Sequence, residues 1–431
     1  MIFEPALQKC LKQWISKEND LGESLFQLGD PPIRTEREAE LLCEALKKVQ
    51  SRLPNELGLE NLVSAPLNAF CSLFQNIATP SAYKIIEDRG IPLLANILDE
   101  SLFGERSLPD GDLLFGLKIL AGYHYHPAIK KISYAIRKRI AYDHYLWPVI
   151  FAIYSELKHP HTLQLISTLE SRLPDGIAGA SFLKLANEQF ERGRLEVHPF
   201  SGLDGSDRLC RLISNTDPNS PHEAMQATLA TAFMAPNLRD RLLLLASRHH
   251  DSGVRIEADR IAASFQNLEA IRRLTDWSFD PRFSRHACQA LTSAGHPERI
   301  PKATHNDGFA TLALLSNTLE NSHRYGVIPD QLGIIDTRRS YWPPDGELIN
   351  CWLCYFTCST TDDLESVTES GVAFVTDKVS IHPNPSVANL PIDDLYAFYC
   401  AWHALGHEAS REDIASMAAE GHQILAEATA I

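Results

Sequence analysis

The chain has 431 residues, 44% of them hydrophobic and 22% charged, with 40 Lys and Arg against 55 Asp and Glu for a net charge of −15. That is the balance of a folded, water-facing chain, too long for one simple core, and its negative sign disfavours a general binder of nucleic acid or of anionic membranes, both of which need a cationic footprint. The longest apolar run, Trp147 to Tyr154, falls far short of the roughly 20 residues that cross a bilayer. Neither a transmembrane helix nor a signal peptide is expected, and 9 scattered cysteines read as reduced thiols of a cytoplasmic protein.

Helical periodicity runs from residue 3 to about 319. X-Pro pairs punctuate it, because Pro suits the first helical position, where no backbone donor is needed. Thr79-Pro80, His126-Pro127, His159-Pro160, Ser220-Pro221 and Asp280-Pro281 read as helix openings. Ser220-Pro-His-Glu223 is also a capping box. In the first half, Ile85-Ile-Glu-Asp-Arg-Gly90-Ile-Pro-Leu-Leu precedes one helix, and Lys130, Lys131, Arg137 and Lys138 form a basic stripe on another. The stripe is a candidate docking strip for an acidic peptide or for phosphates, against the plainer reading of a solvated face.

In the middle of the chain a helical unit is written twice, about 29 residues apart. Asp251-Ser-Gly-Val254-Arg255-Ile-Glu-Ala258 is followed by Asp280-Pro-Arg-Phe283-Ser-Arg285-His-Ala287. Each copy opens on Asp and then places apolar residues in one stripe: Val254, Ala258, Ile261 and Ala262, then Phe283, Ala287, Ala290 and Leu291. Leu238 to Arg248 and Leu268 to Trp277 read as the second helices of each pair. Ser220, Asp251 and Asp280 lie about 30 residues apart, the period of stacked helix pairs. The same region, Arg239 to Arg299, holds 10 Arg against 8 acids in an otherwise acidic chain. Arg255, Arg272, Arg273, Arg282 and Arg285 are therefore candidate anchors for an acidic partner.

Asp251 to Ala258 resembles the second half of a short bacterial HEAT repeat, and Gly90-Ile-Pro-Leu-Leu is similar to an armadillo helix junction. The resemblance implies a HEAT/armadillo-type α-solenoid over 1–320, clearest at 220–300, that binds partners on a ridge or groove. It implies no catalytic residues and no cofactor.

From about Gly333 the texture changes. Tyr341-Trp-Pro-Pro-Asp-Gly346 reads as a turn. Leu348–Cys358, Gly371–Thr376 and Val379–Pro383 read as about three strands. Helices from Pro391 to about Gly406 and from Arg411 to Ala428 complete an α+β module over 325–431, read as a capping module for the open end of the array, with a partner-binding module as the alternative. Cys400, His403 and His407 share one helical face at i, i+3 and i+7, a candidate zinc site with His422 or Cys354 as fourth ligand. Against it stands packing of that face on the sheet. Cys351 and Cys354 point to opposite sides of a strand, so they read as buried thiols rather than a chelating pair. His124-Tyr-His126, His159-Pro-His161 and His249-His250 sit at helix boundaries, where histidine commonly meets terminal carbonyls.

P-loop, dinucleotide and nucleophile-elbow motifs are missing from the sequence. The reading that follows is a non-enzymatic protein-binding scaffold whose partner carries an acidic segment. A nucleic-acid-binding HEAT-like protein with an Arg-lined groove is the first alternative, and a zinc-binding tail of unassigned activity the second.

Overall fold

The computed structural model describes residues 32–52, 60–104, 108–169, 176–215, 221–342, 347–362, 365–405 and 414–429, together with Pro5 and Lys9. The chain divides into two compact units, Met1–Arg255 and Ile256–Ile431. Residues 256–320 thus group with the sheet, although the composition changes only at about 325.

The first unit is helical: α1 (Glu36–Arg52), α2 (Glu60–Gln75), α3 (Pro80–Ile85), α4 (Ile91–Phe103), α5 (Asp110–Gly122), α6 (Ala128–Arg137), α7 (Leu146–Ser155), α8 (Thr162–Leu169), α9 (Gly176–Glu191), α10 (Leu203–Ile213), α11 (Pro221–Ala230) and α12 (Pro236–Ala246). Thr79 caps α3 with its hydroxyl on the Ala82 amide, and Pro80 follows it. The Ile85–Pro92 junction is continuous rather than broken. A π-helical turn, Ile86–Gly90, joins α3 to α4, and Pro92 stands in the first turn of α4, where its missing amide is tolerated.

Apart from α3, the helices fall into two rows. In one row α2 packs on α5, α5 on α7, α7 on α9 and α9 on α11. In the other α1 packs on α4, α4 on α6, and α6 on α8, while α10 packs on α12. Close packing needs small residues at the crossings. A Cβ on Gly116 of α5 would meet the Leu98 side chain of α4 at 2.8 Å. In α9, Ala178, Gly179, Ala180 and Ser181 are all buried, the pattern of a helix covered nearly all round.

Histidines close the turns between helices. His159 Nδ1 accepts the His161 amide (3.3 Å), and its Nε2 donates to the Ala121 carbonyl at the end of α5 (3.2 Å). His198 takes the Phe200 amide (3.3 Å) and donates to Asn187 Oδ1 (3.0 Å). His249 takes the Asp251 amide (3.1 Å) and donates to the Asn215 carbonyl (3.2 Å). Each ring is locked in one neutral tautomer. All three are buried.

The second unit opens on α13 (Ser252–Ser264, which spans the boundary), α14 (Leu268–Trp277), α15 (Ser284–Ser293) and α16 (Asp307–Glu320). In the first of the two similar strings Asp251 caps the helix: its Oδ1 accepts the Val254 amide at 2.9 Å. The second differs. Asp280 and Pro281 open a turn, not a helix, with the Phe283 and Ser284 amides on the Asp280 carbonyl, and α15 starts only at Ser284. Ala258, Ala287, Ala290 and Leu291 are buried.

The sheet has four antiparallel strands, one more than the sequence reading, in the order β1-β2-β3-β4. They are β1 (Gln331–Trp342), β2 (Glu347–Asp362), β3 (Glu365–Thr376) and β4 (Ile381–Asn384). Both faces are covered. Trp352, Cys354, Phe356, Ala373 and Val375 pack with Leu315 and Leu319 of α16. Ile349, Cys351, Leu353, Val372 and Phe374 pack on α17 (Ile392–Leu405) and α18 (Ile414–Thr429) through Leu395, Phe398, Tyr399 and Met417. The two last helices touch closely enough that a Cβ on Gly421 would collide with the Ala397 carbonyl.

Candidate interaction surface

The basic stripe of α6 is an amphipathic helix whose core side is Ile129, Ile132, Ala135 and Ile136. That side decides which cations reach water. Lys131 does not: it is 4% exposed and its ammonium is held by Asp99 of α4. Lys130, Arg137 and Lys138 are exposed. Lys130 lies over the Phe103 ring at 5.9 Å, and Arg137 and Lys138 lie over Tyr134 at 5.6 and 5.7 Å, all within cation–π reach. The two rings touch, with centroids 4.4 Å apart. Phe103 is 46% exposed. Among the described residues, none of the three cations is paired with a carboxylate. The result is a continuous patch of three exposed cations around two aromatic rings.

The Arg-rich region is different. Arg273 is committed to Asp259, which is 2% exposed, through two guanidinium nitrogens. Hydrogen bonding to Asp259 raises the Arg273 pKa above its ordinary value. Arg282 grips Asp280 and donates to the Asp330 carbonyl at 2.7 Å. Arg272 pairs with Glu269 on its own helix at 2.9 Å. Arg255 is half-buried, and Arg285 alone of the five is exposed with no carboxylate partner among the described residues. These arginines mostly tie helices and turns together, so they do not form the row of free anchors expected from their count. The sequence shows the count but not the pairing, because Asp259 and Asp330 are identified as partners only by the fold.

The candidate zinc ligands are brought together only in part. Cys400 and His403 lie on α17, and His407 lies outside the described residues. Cys354, one proposed fourth ligand, faces α16 on the opposite side of the sheet from α17. His422, the other, pairs with Asp394 at 2.8 Å. His403 packs against the Trp342 ring at 4.9 Å. Burial pushes the Cys400 thiol up to about 11 and those of Cys351 and Cys354 up to about 12. Among the described residues no group of three His, Cys, Asp or Glu is arranged to hold a metal ion.

A cleft of about 460 Å³ between α7, α9 and α11 is lined by Phe151, Ala152, Ser155, Lys184, Glu188 and His222. Its charges are mixed. Glu188 is held by the Ser155 hydroxyl and by Arg192. Burial, and then Lys184, lowers the His222 pKa from its ordinary value. No single sign of charge dominates it, unlike the α6 patch.

Compared with known protein families, with curated proteins and with solved structures, the chain matches none. No described helix is long and apolar enough to cross a membrane.

Proposed function

We propose that the chain is a non-enzymatic protein-binding scaffold of the HEAT/armadillo type, and that it binds an acidic segment of its partner on the patch formed by Phe103, Lys130, Tyr134, Arg137 and Lys138. One observation carries the reading: three exposed cations stand without carboxylates around two touching rings, in a chain whose net charge is −15. A surface of this kind offers a carboxylate-rich peptide both charge and flat apolar area. The alternation of helices between two rows, and the histidine-closed turns, support the helical-repeat part of the reading. The same cations suit phosphates, but three exposed contacts on an acidic body are a small footprint for nucleic acid.

Fluorescence anisotropy tests it with a labelled peptide alternating Glu and Leu, and with duplex and single-stranded DNA as competing probes. The peptide binds, and the triple variant Lys130→Glu, Arg137→Glu, Lys138→Glu loses at least about tenfold in affinity, or about 1.4 kcal/mol. Equal binding by the triple variant overturns the assignment of the patch. DNA binding that is tighter than peptide binding and depends on the same three residues turns the reading to nucleic acid.

A further inference from the structure

Four histidines meet where the turn before α6 faces the turn before α8. His124 and His126 come from the first, His159 and His161 from the second. The His124 and His159 rings are 4.6 Å apart, those of His126 and His161 5.0 Å, and those of His159 and His161 5.9 Å. The contacts are edge to face, with interplanar angles of 80°, 79° and 75°. Hydrogen bonds cross the same seam. His161 Nε2 donates to the His124 carbonyl at 3.0 Å, His159 Nε2 to the Ala121 carbonyl at 3.2 Å, and His126 Nε2 meets Gln164 Oε1 at 2.9 Å. His124 itself sits at φ +52°, in the left-handed region that non-glycine residues rarely occupy.

We propose that these four histidines form an acid-opened latch that holds the start of α6, and with it the binding patch, against the turn before α8.

The chemistry of the seam fixes the direction. His159 is 2% exposed, and its Nδ1 is already occupied as an acceptor for the His161 amide. A second proton on that ring has no acceptor and displaces that amide. The groups that face His159 are the Ala121 carbonyl, the Tyr154 ring at 4.2 Å, and the His124 and His161 imidazoles. No carboxylate is among the groups that shift its titration, and burial first, then the two neighbouring imidazoles, hold it at about 4, partly opposed by the Ala121 hydrogen bond. The unfolded or opened turn titrates near the ordinary value of about 6.5. Acid therefore favours the opened seam by proton linkage. The α6 helix follows directly: its first amides, those of Ala128 and Ile129, bond to the Tyr125 and His126 carbonyls of the same turn. Lys130 lies one residue further on, over Phe103.

The consequence for binding rests on the patch reading above, whereas the latch rests on the seam alone. The first measurement therefore uses the protein without partner. The His161 amide reports the latch, since its acceptor is His159 Nδ1. Its hydrogen-exchange protection factor falls about thirtyfold between pH 7.5 and pH 5, the change expected when one site moves from about 6.5 to about 4 on closing. In His159→Asn, a side-chain oxygen keeps an acceptor two residues before the amide and no longer titrates, so the pH dependence flattens to under threefold. In His124→Ala, at an exposed position that spares the core, the fall is smaller than in the wild type, because the His124 imidazole no longer helps to hold the His159 value down. A wild-type protection factor that changes less than threefold, or an equal fall in His124→Ala, overturns the latch. With the latch established, anisotropy with the Glu-Leu peptide at both pH values tests its link to the patch. Weaker binding at pH 5 is expected. Tighter binding at pH 5 means that the histidines merely add positive charge, and overturns the link while leaving the patch in place.

Discussion

The two units lean on different electrostatics at their helix junctions, although each also holds the other's device: the first buries Lys131 against Asp99, and in the second the buried His296 meets the Ala263 carbonyl at 3.2 Å. In the first, buried neutral histidines do the work: burial holds His159 and His198 at about 4. In the second, charged pairs predominate. Arg273 is bound to Asp259, Arg282 to Asp280, and His286 to Glu320 at 2.7 Å. The hydrogen bond to Glu320 raises the His286 pKa above its ordinary value. Histidine is thus used in both of its forms in one chain, and the partner decides which. A backbone carbonyl or a side-chain amide accepts one N–H and leaves the ring neutral, while a carboxylate holds the imidazolium. The sheet edge departs from its own unit, since burial, and then His403, lowers His382.

The largest effect expected from this contrast is the response to pH. For His159 and His198 the folded value lies below the unfolded one. Above about pH 6.5 neither state binds the proton, so their contribution is intact. Between about 6.5 and 4 only the unfolded chain binds it, and stability falls as pH falls; below about 4 the loss is complete. Two sites shifted this far cost on the order of 7 kcal/mol together. For His286 the sign reverses: its contribution is complete below about 6.5 and is lost as pH rises through the raised folded value. Hydrogen-exchange mass spectrometry from pH 7.5 to 4.5 separates the two, with residues 176–215 losing protection in acid while the pair between α15 and α16 tightens down to about pH 6.5. Parallel loss in both segments would break the comparison.

Truncating the sheet core comes next. Phe374 is fully buried and stacks with Trp342 at 4.3 Å and with Tyr399 at 5.3 Å. Phe374→Ala costs about 3–5 kcal/mol. If the units unfold separately, denaturant titration shows that loss in the second transition alone.

The ion pairs give a smaller effect. Arg273→Ala leaves the Asp259 carboxylate buried without its guanidinium and costs about 2–3 kcal/mol in the second unit. The Arg273 side chain is 38% exposed, so water recovers part of the loss and holds the cost below that of a fully enclosed pair. Unchanged stability would mean that Asp259 finds another partner, and would remove the ion pairs from the contrast.

Much of the helical architecture is legible in the sequence, because amphipathic periodicity and Pro at helix starts are local signals. Leu268–Trp277 appears as written, and the last helix before the sheet ends at Glu320, next to the expected 319. Strand β1 is not legible. Its pairing shifts register between Ile334 and Asp336, a bulge that sets two isoleucines side by side and breaks the period of two. The buried Lys131 is also invisible, since its partner Asp99 lies on another helix. The histidine turns were half visible. His159 and His249 do meet terminal carbonyls, as their positions suggest, but His198 accepts and donates the same way with only a His-Pro pair to mark it. Which cations stay free is a tertiary property: the arginines of 255–285 are mostly paired, whereas Lys130, Arg137 and Lys138 on α6 are not.

The smallest effect distinguishes the two written copies of the repeat. Asp251 caps α13 through the Val254 amide, and its own amide is bonded to His249 Nδ1. Asp280 instead holds Arg282 and the turn before α15. Asp251→Ala removes a cap and costs about 1 kcal/mol, and Asp251→Asn, which caps as well, restores it. At Asp280 the side chain pairs with a guanidinium as well as a backbone amide, so Asp280→Asn does not restore what Asp280→Ala loses. Thermal denaturation of the four variants measures this directly. Full rescue by Asn at both positions would make the two copies equivalent and reduce the contrast to loop geometry. Rescue at Asp251 alone shows one sequence signal put to two physical uses: an N-cap in the first copy and an ion pair in the second.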